Sequence, residues 1–546
     1  MAINLTQQPY GVLAMTGQNT VYTANLQNIV LNETNVKFLC EVYVGRTYPN
    51  ITTDFPVATL KASPNAAGVG IFDVSPVIEA YVEPTFEGRK PISTADPLMG
   101  SKFKGTDFAS NTPHNIHQID QFCTNSTNTL WYLLRFRIEY MNTTTGRVEL
   151  DASHDKSSTG RLVFNGMLQP TNPITYYNDW YYYNLSGIQY EDGSGDYLIN
   201  GVAGVSNKGR FISNMPEQQY IRANDYGTIA FFNCLNWGNY VTAPGQPKNA
   251  IPGIALRFYD EANNTLQANF YANIPTNGGK DNWTPDKDTA AYWVYFGHGL
   301  ANMKGRGESW PANATGYEVY ASDGTGGTGN PGCGCVQQHA SPSWWSYCGG
   351  AYQYINQYAC EKAHPPYTGG GEEYMPLSRR YRFDIITDDC FGHKPVRIAW
   401  LNRLGAWDYY TFTKKSVKTI KSKRKTYQQL AGTWNEAIWR PKDHLGGTKV
   451  FDNQAKESWS LNTGYMKETD AAWLEDLFTS SQVFIVNDFS NTNPLTGFTQ
   501  ATYIHKYVEP VVITSASYTR KTRVVDGLIT YTLKIDKSKN PNIQRA

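Results

Sequence analysis

The sequence predicts a mainly β, multidomain protein, and three observations support that fold class. The chain has 546 residues and is too long for a single hydrophobic core, because domains commonly contain roughly 100 to 200 residues. It is 40% apolar and 17% charged, with 47 glycines and 28 prolines, a composition typical of ordered chains rich in strands and loops. Several segments alternate apolar and polar residues, as half-buried strands do.

The clearest alternation lies in LLRFRIEY, where one face comprises Leu134, Phe136, Ile138 and Tyr140. The charged Arg135, Arg137 and Glu139 share the other face, which predicts an antiparallel strand with one solvated side. Similar strands are predicted at 36–44, 254–259, 292–296 and 381–386. Together these strands predict antiparallel β-sandwich domains of the immunoglobulin, fibronectin or jelly-roll kind.

The segment FDVSPVIEAYV predicts a short helix. Ser75 offers a capping hydroxyl, and Pro76 follows it at the first helical position. The apolar face of this helix would comprise Val77, Ile78, Tyr81 and Val82.

A second helix is predicted at 468–480, with Thr469 as its cap and acidic residues in its first turns. Its apolar stripe would comprise Trp473, Leu474, Leu477 and Phe478. Both helices are expected to cover sandwich cores.

Long polar or glycine-rich intervals at 83–118, 275–288 and 322–373 exceed the usual length of a loop in a compact domain. We expect them to be insertions or partner-binding loops. The predicted domains are an N-terminal β-sandwich at 1–160, a linking β region at 161–226, a second β-sandwich at 227–426 with an insertion at 322–376, and a C-terminal α+β domain at 427–546.

Charge and hydropathy argue against two classes of partner. The net charge is +1, which gives no global attraction to nucleic acid or to an acidic membrane. The sequence contains no run of eighteen apolar residues, which a membrane-spanning helix would need. Its first residues lack the pattern of a secretory signal. We therefore expect synthesis in a host cytoplasm, no membrane insertion and no nucleic-acid partner.

Several blocks of the sequence resemble a family of virion structural proteins. The blocks, in chain order, are MAINLTQQP, KFLCEVYV, GVGIFDVSPVIEAYV, IRANDYGTIAFFN, VRIAWLNRLGAWDYYTFTKKS, AAWLEDLFTSSQVFIV and YTLKIDKSKNPNIQRA. The family belongs to tailed bacteriophages of marine and Bacteroidetes-type hosts, and its members are tail-associated. The resemblance runs from the first residue to the last, with gaps at the long insertions. It implies a place in a particle and no catalytic residue.

We accordingly expect a non-enzymatic tail or tail-tip protein that contacts other copies of itself and other virion proteins. A receptor-binding fibre protein that takes a host surface polysaccharide and a capsid-surface decoration protein are the alternatives. A polysaccharide depolymerase ranks last, because the sequence has no metalloprotease helix, nucleophile elbow or phosphate loop. Two facing carboxylates would suffice for glycoside hydrolysis, and Asp384, Asp388 and Asp389 are the nearest local candidates.

The insertion at 322–376 lies outside the resemblance and is rich in cysteine. Cys333, Cys335, Cys348 and Cys360 could bind zinc tetrahedrally, although their spacing is not that of a zinc ribbon. Disulfides and free thiols remain open alternatives. Zinc is therefore the one cofactor that the sequence suggests, and no other cofactor is expected.

Exposed aromatic rings in the same insertion, Trp344, Trp345 and Tyr347, could stack on sugar faces. Packing at a protein interface is the competing interpretation. A further set of aromatic residues is expected at interfaces or at the docking of the C-terminal domain: Trp400, Trp407, Tyr409, Tyr410, Trp473 and Phe478.

The segment KKSVKTIKSKRK carries seven basic residues at 414–425. It could bind along the phosphates of a nucleic acid. The favoured interpretation is an edge strand whose lysines prevent it from pairing with strands of other chains. The nearby acids Glu373, Asp384, Asp388 and Asp389 are the expected ion-pair partners.

Overall fold

The protein is mainly β and multidomain, with several antiparallel sheets. Its computed structural model describes residues 3–9, 13–46, 51, 53, 55–84, 87–88, 114–119, 121–124, 127–167, 188–191, 197–199, 210–233, 251, 253–273, 292–305, 308–322, 333–337, 344–348, 351–355, 374, 378–386, 393, 395–432, 436–486, 508–515 and 528–541.

The chain divides into two compact units. Unit 1 comprises Met1–Ile386, Leu401–Asp408 and Phe489–His505, and unit 2 comprises Thr387–Trp400, Tyr409–Asp488 and Lys506–Ala546. The four domains and boundaries expected from the sequence stay predictions.

The first strands are, in chain order, β1 (Asn4–Gln7), β2 (Leu13–Met15), β3 (Val21–Asn25), β4 (Thr34–Gly45), β5 (Ala58–Ala62), β6 (Val69–Asp73), β7 (Glu87–Gly88), β8 (His114–Asn115), β9 (Phe122–Thr124), β10 (Thr129–Met141), β11 (Val148–Ser157) and β12 (Arg161–Phe164). The helices are α1 (Gln27–Asn32), α2 (Ser75–Glu79), α3 (Leu300–Gly305) and α4 (Glu468–Thr479). No helix in the described ranges has the length and apolar character needed to cross a bilayer.

The later strands are β13 (Ile188–Glu191), β14 (Tyr197–Ile199), β15 (Gln218–Arg222), β16 (Thr228–Phe232), β17 (Gly253–Tyr259), β18 (Thr265–Ala272), β19 (Trp293–Gly297), β20 (Gly316–Ser322), β21 (Cys333–Gln337), β22 (Trp344–Cys348), β23 (Ala351–Ile355), β24 (Tyr381–Ile386), β25 (Val396–Leu401), β26 (Trp407–Phe412), β27 (Val417–Gln429), β28 (Gly447–Asn462), β29 (Met466–Lys467), β30 (Val483–Val486), β31 (Val508–Ile513), β32 (Leu528–Ile529) and β33 (Thr532–Lys537).

Two sheets near the start of unit 1 share one hydrophobic core. The orders are β1-β3-β6 and β2-β12-β10-β4-β5, with β11 also on β10. Tyr22, Phe72 and Phe136 meet in this core, with ring centroids 5.8 and 5.9 Å from Phe136. Leu134 and Ile138 are fully buried beside them, while the intervening arginines of β10 are half-buried. The alternation predicted for β10 is confirmed.

Other strands of unit 1 depart from the predicted pattern. All five residues of β19, the central strand of the sheet β16-β19-β9, are buried, because aromatic rings pack on both of its faces: Trp293 lies 5.8 Å from Phe164, and Phe296 lies 5.3 Å from Tyr271. The prediction of one solvated face is therefore wrong for this strand. In the order β15-β24-β20-β17-β18, β24 pairs with β15 in parallel and with β20 in antiparallel fashion.

The helix α2 is present, but its predicted cap is wrong. The helix begins at Ser75, and the acceptor is the Oδ1 atom of Asp73, which takes hydrogen bonds from the Ser75 N–H at 3.0 Å and the Ser75 hydroxyl at 2.7 Å. Ile78 and Val82 are buried as predicted, whereas Tyr81 is 39% exposed.

The helix α4 begins at Glu468, two residues earlier than a cap at Thr469 would allow. Its N-cap is Lys467, so Thr469 lies within the helix. Trp473, Leu474 and Leu477 are buried, which confirms the apolar stripe.

A buried asparagine in unit 1 joins three backbone segments. The Asn302 amide group donates to the carbonyl oxygens of His117 at 3.1 Å and Ile119 at 2.6 Å. Its Oδ1 atom accepts from the Gly227 N–H at 3.0 Å. Asn302 is 1% exposed, so α3, the turn before β16 and the segment before β9 are held by bonds that water does not replace.

The turn between β25 and β26 belongs to unit 1. The Asn402 Oδ1 atom accepts from the N–H groups of Leu404 and Ala406, both at 3.0 Å. Gly405 has a φ of +86°, and a Cβ added there would lie 2.0 Å from the Asn165 carbonyl oxygen. The Gly405 carbonyl accepts from the Asn128 side chain at 3.0 Å. These bonds, with the Asn402 N–H donating to the Ala406 carbonyl at 2.8 Å, reverse the chain at NRLGAWD.

Unit 2 contains one seven-stranded sheet in the order β26-β25-β30-β31-β33-β28-β27. The basic strand β27 lies at its edge, as predicted. Helix α4 contributes Trp473, whose ring lies 5.0 Å from that of Trp400.

Candidate interaction surface

The strands β27 and β28 form a long antiparallel ribbon. They pair from Val417↔Ser460 to Gln429↔Gly447, but β33 pairs with β28 only over Ser458–Asn462. The remainder, about ten residue pairs, extends roughly 33 Å at the rise of an antiparallel strand. Every residue of β27 up to Gln428 is exposed.

The root of the ribbon is fixed by one buried carboxylate. Glu457 is 6% exposed. Its oxygens contact the Lys418 ammonium at 2.9 Å, the Lys537 ammonium at 3.4 Å and the Trp459 indole N–H at 2.7 Å. Burial alone would raise the pKa of Glu457, but hydrogen bonds from Lys418 and Trp459 and the lysine charges hold that pKa below its ordinary value.

We expect Glu457→Gln to weaken the ribbon root by about 1 kcal/mol at neutral pH, a modest value because Lys418 is half exposed and screened. A lowered carboxyl pKa stabilises the fold above the unfolded value of about 4.3, and this contribution disappears as pH falls through the folded pKa. The difference between wild type and variant in urea unfolding should therefore shrink below about pH 4. Glu436→Gln, at the exposed tip, is the control, and an acid-independent difference for Glu457→Gln would contradict this prediction.

One face of the ribbon is lined with lysines. The register sets Lys421 opposite Lys456 and Tyr427 opposite Lys449, and alternate residues share a face. The lysine face, as we name it, comprises Lys421, Lys423, Lys425, Lys449 and Lys456. Acids neutralise only part of it: Lys425 contacts Asp452 at 3.3 Å, and Lys456 contacts Asp536 at 2.6 Å.

The tip of the ribbon exposes apolar side chains. Leu430 is 67% exposed, Ile438 68% and Trp439 59%. The Trp439 indole N–H donates to the Ala431 carbonyl at 3.3 Å. Gly432 has a φ of +97°, and a Cβ added there would overlap the Trp439 indole. Residues 433–435 lie outside the described residues.

The expected ion-pair partners of the basic run are wrong where the structure describes them. The observed acids are Glu457 and Asp452 on β28, because a hairpin brings its second strand against the first. Asp384 instead accepts from Arg382 at 2.7 Å and from Gln218 at 2.6 Å. Glu373, Asp388 and Asp389 lie outside the described residues.

The candidate metal ligands fall on a three-stranded sheet of order β21-β22-β23. The backbone register pairs Cys333 with Cys348 and Cys335 with Ser346. Cys360 lies outside the described residues, and the described part of the chain contains no cluster of three or more His, Cys, Asp or Glu residues suited to a metal. The zinc assignment stays a prediction.

The candidate stacking residues Trp344, Trp345 and Tyr347 lie on β22, the central strand of that sheet. Their backbone partners on β23 are Ile355, Tyr354 and Tyr352. The sugar-stacking role also stays a prediction.

The candidate docking residues are mostly buried within their own units. Trp400 and Trp473 form an aromatic cluster with Tyr410 in unit 2, with Tyr410 and Trp473 6.2 Å apart. Tyr409 lies under the Arg397 guanidinium at 5.2 Å, and Phe478 lies 5.7 Å from Tyr531.

In unit 1, Trp407 is 2% exposed and its ring lies 4.8 Å from that of His117. These contacts give the set a packing role, and its role in docking stays a prediction.

One group of residues has the composition of a catalytic triad without its geometry. Ser153, His154 and Asp151 lie together on β11, but the Ser153 hydroxyl and the Asp151 carboxylate both meet the same His154 Nδ1 atom. A triad needs the serine and the acid on opposite ring nitrogens. Burial would raise the pKa of Asp151, but hydrogen bonds from Ser153 and His154 hold it below its ordinary value, as in a structural turn.

The second strand of the ribbon, which carries Glu457 and Phe451, was not predicted from the sequence, and neither was the contribution of Asp536 on β33. The alternation of Lys421, Lys423 and Lys425, followed by a Gly446-Gly447 turn, indicates a hairpin and could have located β28. No protein-family model matches this sequence, and no curated protein aligns with it significantly.

Proposed function

We propose that this chain is a structural protein of a tailed-bacteriophage virion, a tail or tail-tip component that assembles through contacts with copies of itself and with other virion proteins. The resemblance of its sequence blocks to tail-associated proteins supports the assignment to a virion. The mainly β, multidomain fold is compatible with side-by-side packing in a symmetric oligomer.

The exposed ribbon is the observation that carries the assembly role. A two-stranded ribbon with both faces in water is marginally stable by itself. This ribbon also exposes Ile420 by 60% and Phe451 by 53%, in addition to its apolar tip. Contiguous exposed apolar surface marks protein interaction sites, so the tip is the part of the ribbon best suited to a neighbouring subunit.

A non-enzymatic role agrees with the polar groups that the structure describes. Asp384 is held by Arg382 and Gln218, and Glu318 lies opposite both Arg257 and Arg382 across three strands. These carboxylates form a cross-strand charge ladder, which stabilises a sheet.

Removing the apolar tip tests this proposal. We expect the purified chain to form oligomers, and Leu430→Ser/Ile438→Ser to shift its mass toward the monomer because the subunit contact loses its apolar core. Mass photometry over a range of concentrations measures the change. Leu31→Ser/Val148→Ser is the matched control, since Leu31 is 74% and Val148 61% exposed outside the ribbon.

Antibody labelling of intact particles tests the location. Label at the tail supports the proposal, label on the capsid surface indicates a decoration protein, and absence from particles overturns the virion role. An oligomer that the tip variant leaves unchanged would contradict the assigned contact.

A further inference from the structure

The lysine face carries more positive charge than the protein neutralises. Among the residues that the structure describes, Lys421 and Lys423 form no direct ion pair, and the Lys449 ammonium contacts only the His444 carbonyl oxygen at 3.1 Å. The charge of Lys421 helps to lower the pKa of Asp536, but that one carboxylate is bound directly by Lys456. Lys421 lies directly opposite Lys456. Like charges in opposed positions destabilise a sheet, so this face would be stabilised by an external anion.

The charge is concentrated in the ribbon rather than spread over the chain. Residues 417–462 contain nine Lys and Arg residues against four Asp and Glu residues, a net charge of +5. The whole chain carries +1, so the other residues sum to −4. A local patch of this kind can bind a polyanion that the protein as a whole does not attract.

The positive groups are evenly spaced along the strand. Lys421, Lys423 and Lys425 follow at every second residue, which places successive side chains about 6.8 Å apart on one face. An extended row of flexible ammonium groups suits a linear polymer of anions better than one compact acidic group.

Two aromatic rings lie at the end of the row. Tyr427 follows Lys425 on the same face and is 46% exposed, and Phe451, the bulge residue of β28, is 53% exposed. Their ring centroids lie 6.2 Å apart at an interplanar angle of 65°. Exposed rings beside a cationic track are the means by which proteins hold unpaired bases.

We propose that the lysine face of the β27–β28 ribbon binds single-stranded nucleic acid, with Lys421 and Lys423 on neighbouring phosphates, Lys449 on a phosphate further along the strand, and Tyr427 and Phe451 against the bases. The aromatic pair favours a single strand over a duplex, whose bases are already stacked. The assignment reverses the expectation drawn from net charge, because the register places several lysines on one face of the ribbon and leaves only some of them beside acids.

Fluorescence anisotropy with a labelled oligothymidine of about 20 nucleotides tests the proposal. For three phosphate contacts, the logarithm of the association constant should fall with the logarithm of salt concentration with a slope of about −2, and Lys421→Gln/Lys423→Gln should reduce this slope by about 1.4. Tyr427→Ala should weaken binding about tenfold with little change in slope. Lys37→Gln/Lys156→Gln, which removes two exposed lysines elsewhere, should bind as wild type does.

Circular dichroism and the thermal midpoint of each variant establish that the fold is retained. No oligothymidine binding, or equal binding by the wild type and the Lys421/Lys423 variant, overturns the proposal. So does tighter binding of a duplex of the same length that Tyr427→Ala leaves unchanged. A shift in oligomer mass caused by the lysine variant, without a loss of oligothymidine binding, would assign the face to a second copy instead.

Discussion

Gly405→Ala should destabilise unit 1 by about 3 to 5 kcal/mol. The φ of +86° costs a residue with a Cβ about 1 to 2 kcal/mol, and the added methyl would lie 2.0 Å from the Asn165 carbonyl oxygen. Backbone on both sides must move to relieve that overlap, which resembles overpacking of a core. Hydrogen–deuterium exchange measured by mass spectrometry on peptides from β10 should show faster exchange than in wild type.

Gly146→Ala separates the two causes of this effect. Gly146 has a φ of +65°, but nothing lies within 4 Å of its added Cβ. Its substitution should cost about 1 kcal/mol, the conformational part alone. Equal effects at the two positions would show that the turn around Gly405 adapts and that the close approach to Asn165 has no energetic weight.

Asn302→Ala should destabilise unit 1 by a similar amount, about 3 to 5 kcal/mol. The substitution removes three hydrogen bonds at once and leaves the Gly227 N–H and two carbonyl oxygens in a buried site. Each buried unsatisfied group costs about 1 to 3 kcal/mol. Urea unfolding monitored by exchange of peptides from β16 and β19 measures the loss.

Two further variants show which of the Asn302 hydrogen bonds matter: Asn302→Asp separates the acceptor from the donors, and Asn264→Ala is an exposed control. The aspartate keeps the acceptor for Gly227 but turns a second oxygen toward the His117 and Ile119 carbonyls, so it should be at least as harmful as alanine. The Asn264 side chain donates one hydrogen bond, to Asp260 on an exposed turn, and its loss should cost less than about 1 kcal/mol. A well-tolerated Asn302→Asp would mean that only the Gly227 bond matters.

The parts of the fold that depend on local pattern could be predicted from the sequence. The alternation of β10, the edge position of β27 and the apolar stripe of α4 follow from side-chain periodicity, which each segment carries by itself. The cap of α2 could not be placed, because Asp73 and Ser75 both belong to the residue types that cap helices, and here the Ser75 hydroxyl donates to Asp73 instead of accepting from the helix.

Pairing between distant segments was beyond reach of the same reasoning. The parallel pairing of β15 with β24 joins Gln218 to Arg382, and one sequence contains nothing local that specifies it. The ion-pair partners of the basic segment were predicted wrongly for the same reason. The lysines were evident from the sequence, but their neutralisation depends on the register with β28, which sets Lys421 against Lys456 rather than against an acid.

The way in which the chain crosses between units has a consequence for synthesis on the ribosome. Unit 1 includes the later segments Leu401–Asp408 and Phe489–His505, and unit 2 uses three separate segments. A nascent chain that stops at residue 386 lacks the Gly405 carbonyl, which accepts a hydrogen bond from Asn128. It also lacks Asn402, whose side chain donates to the Ile212 carbonyl. Early strands must therefore wait, partly folded, for residues made much later, so premature termination should yield aggregation-prone fragments rather than shorter working proteins.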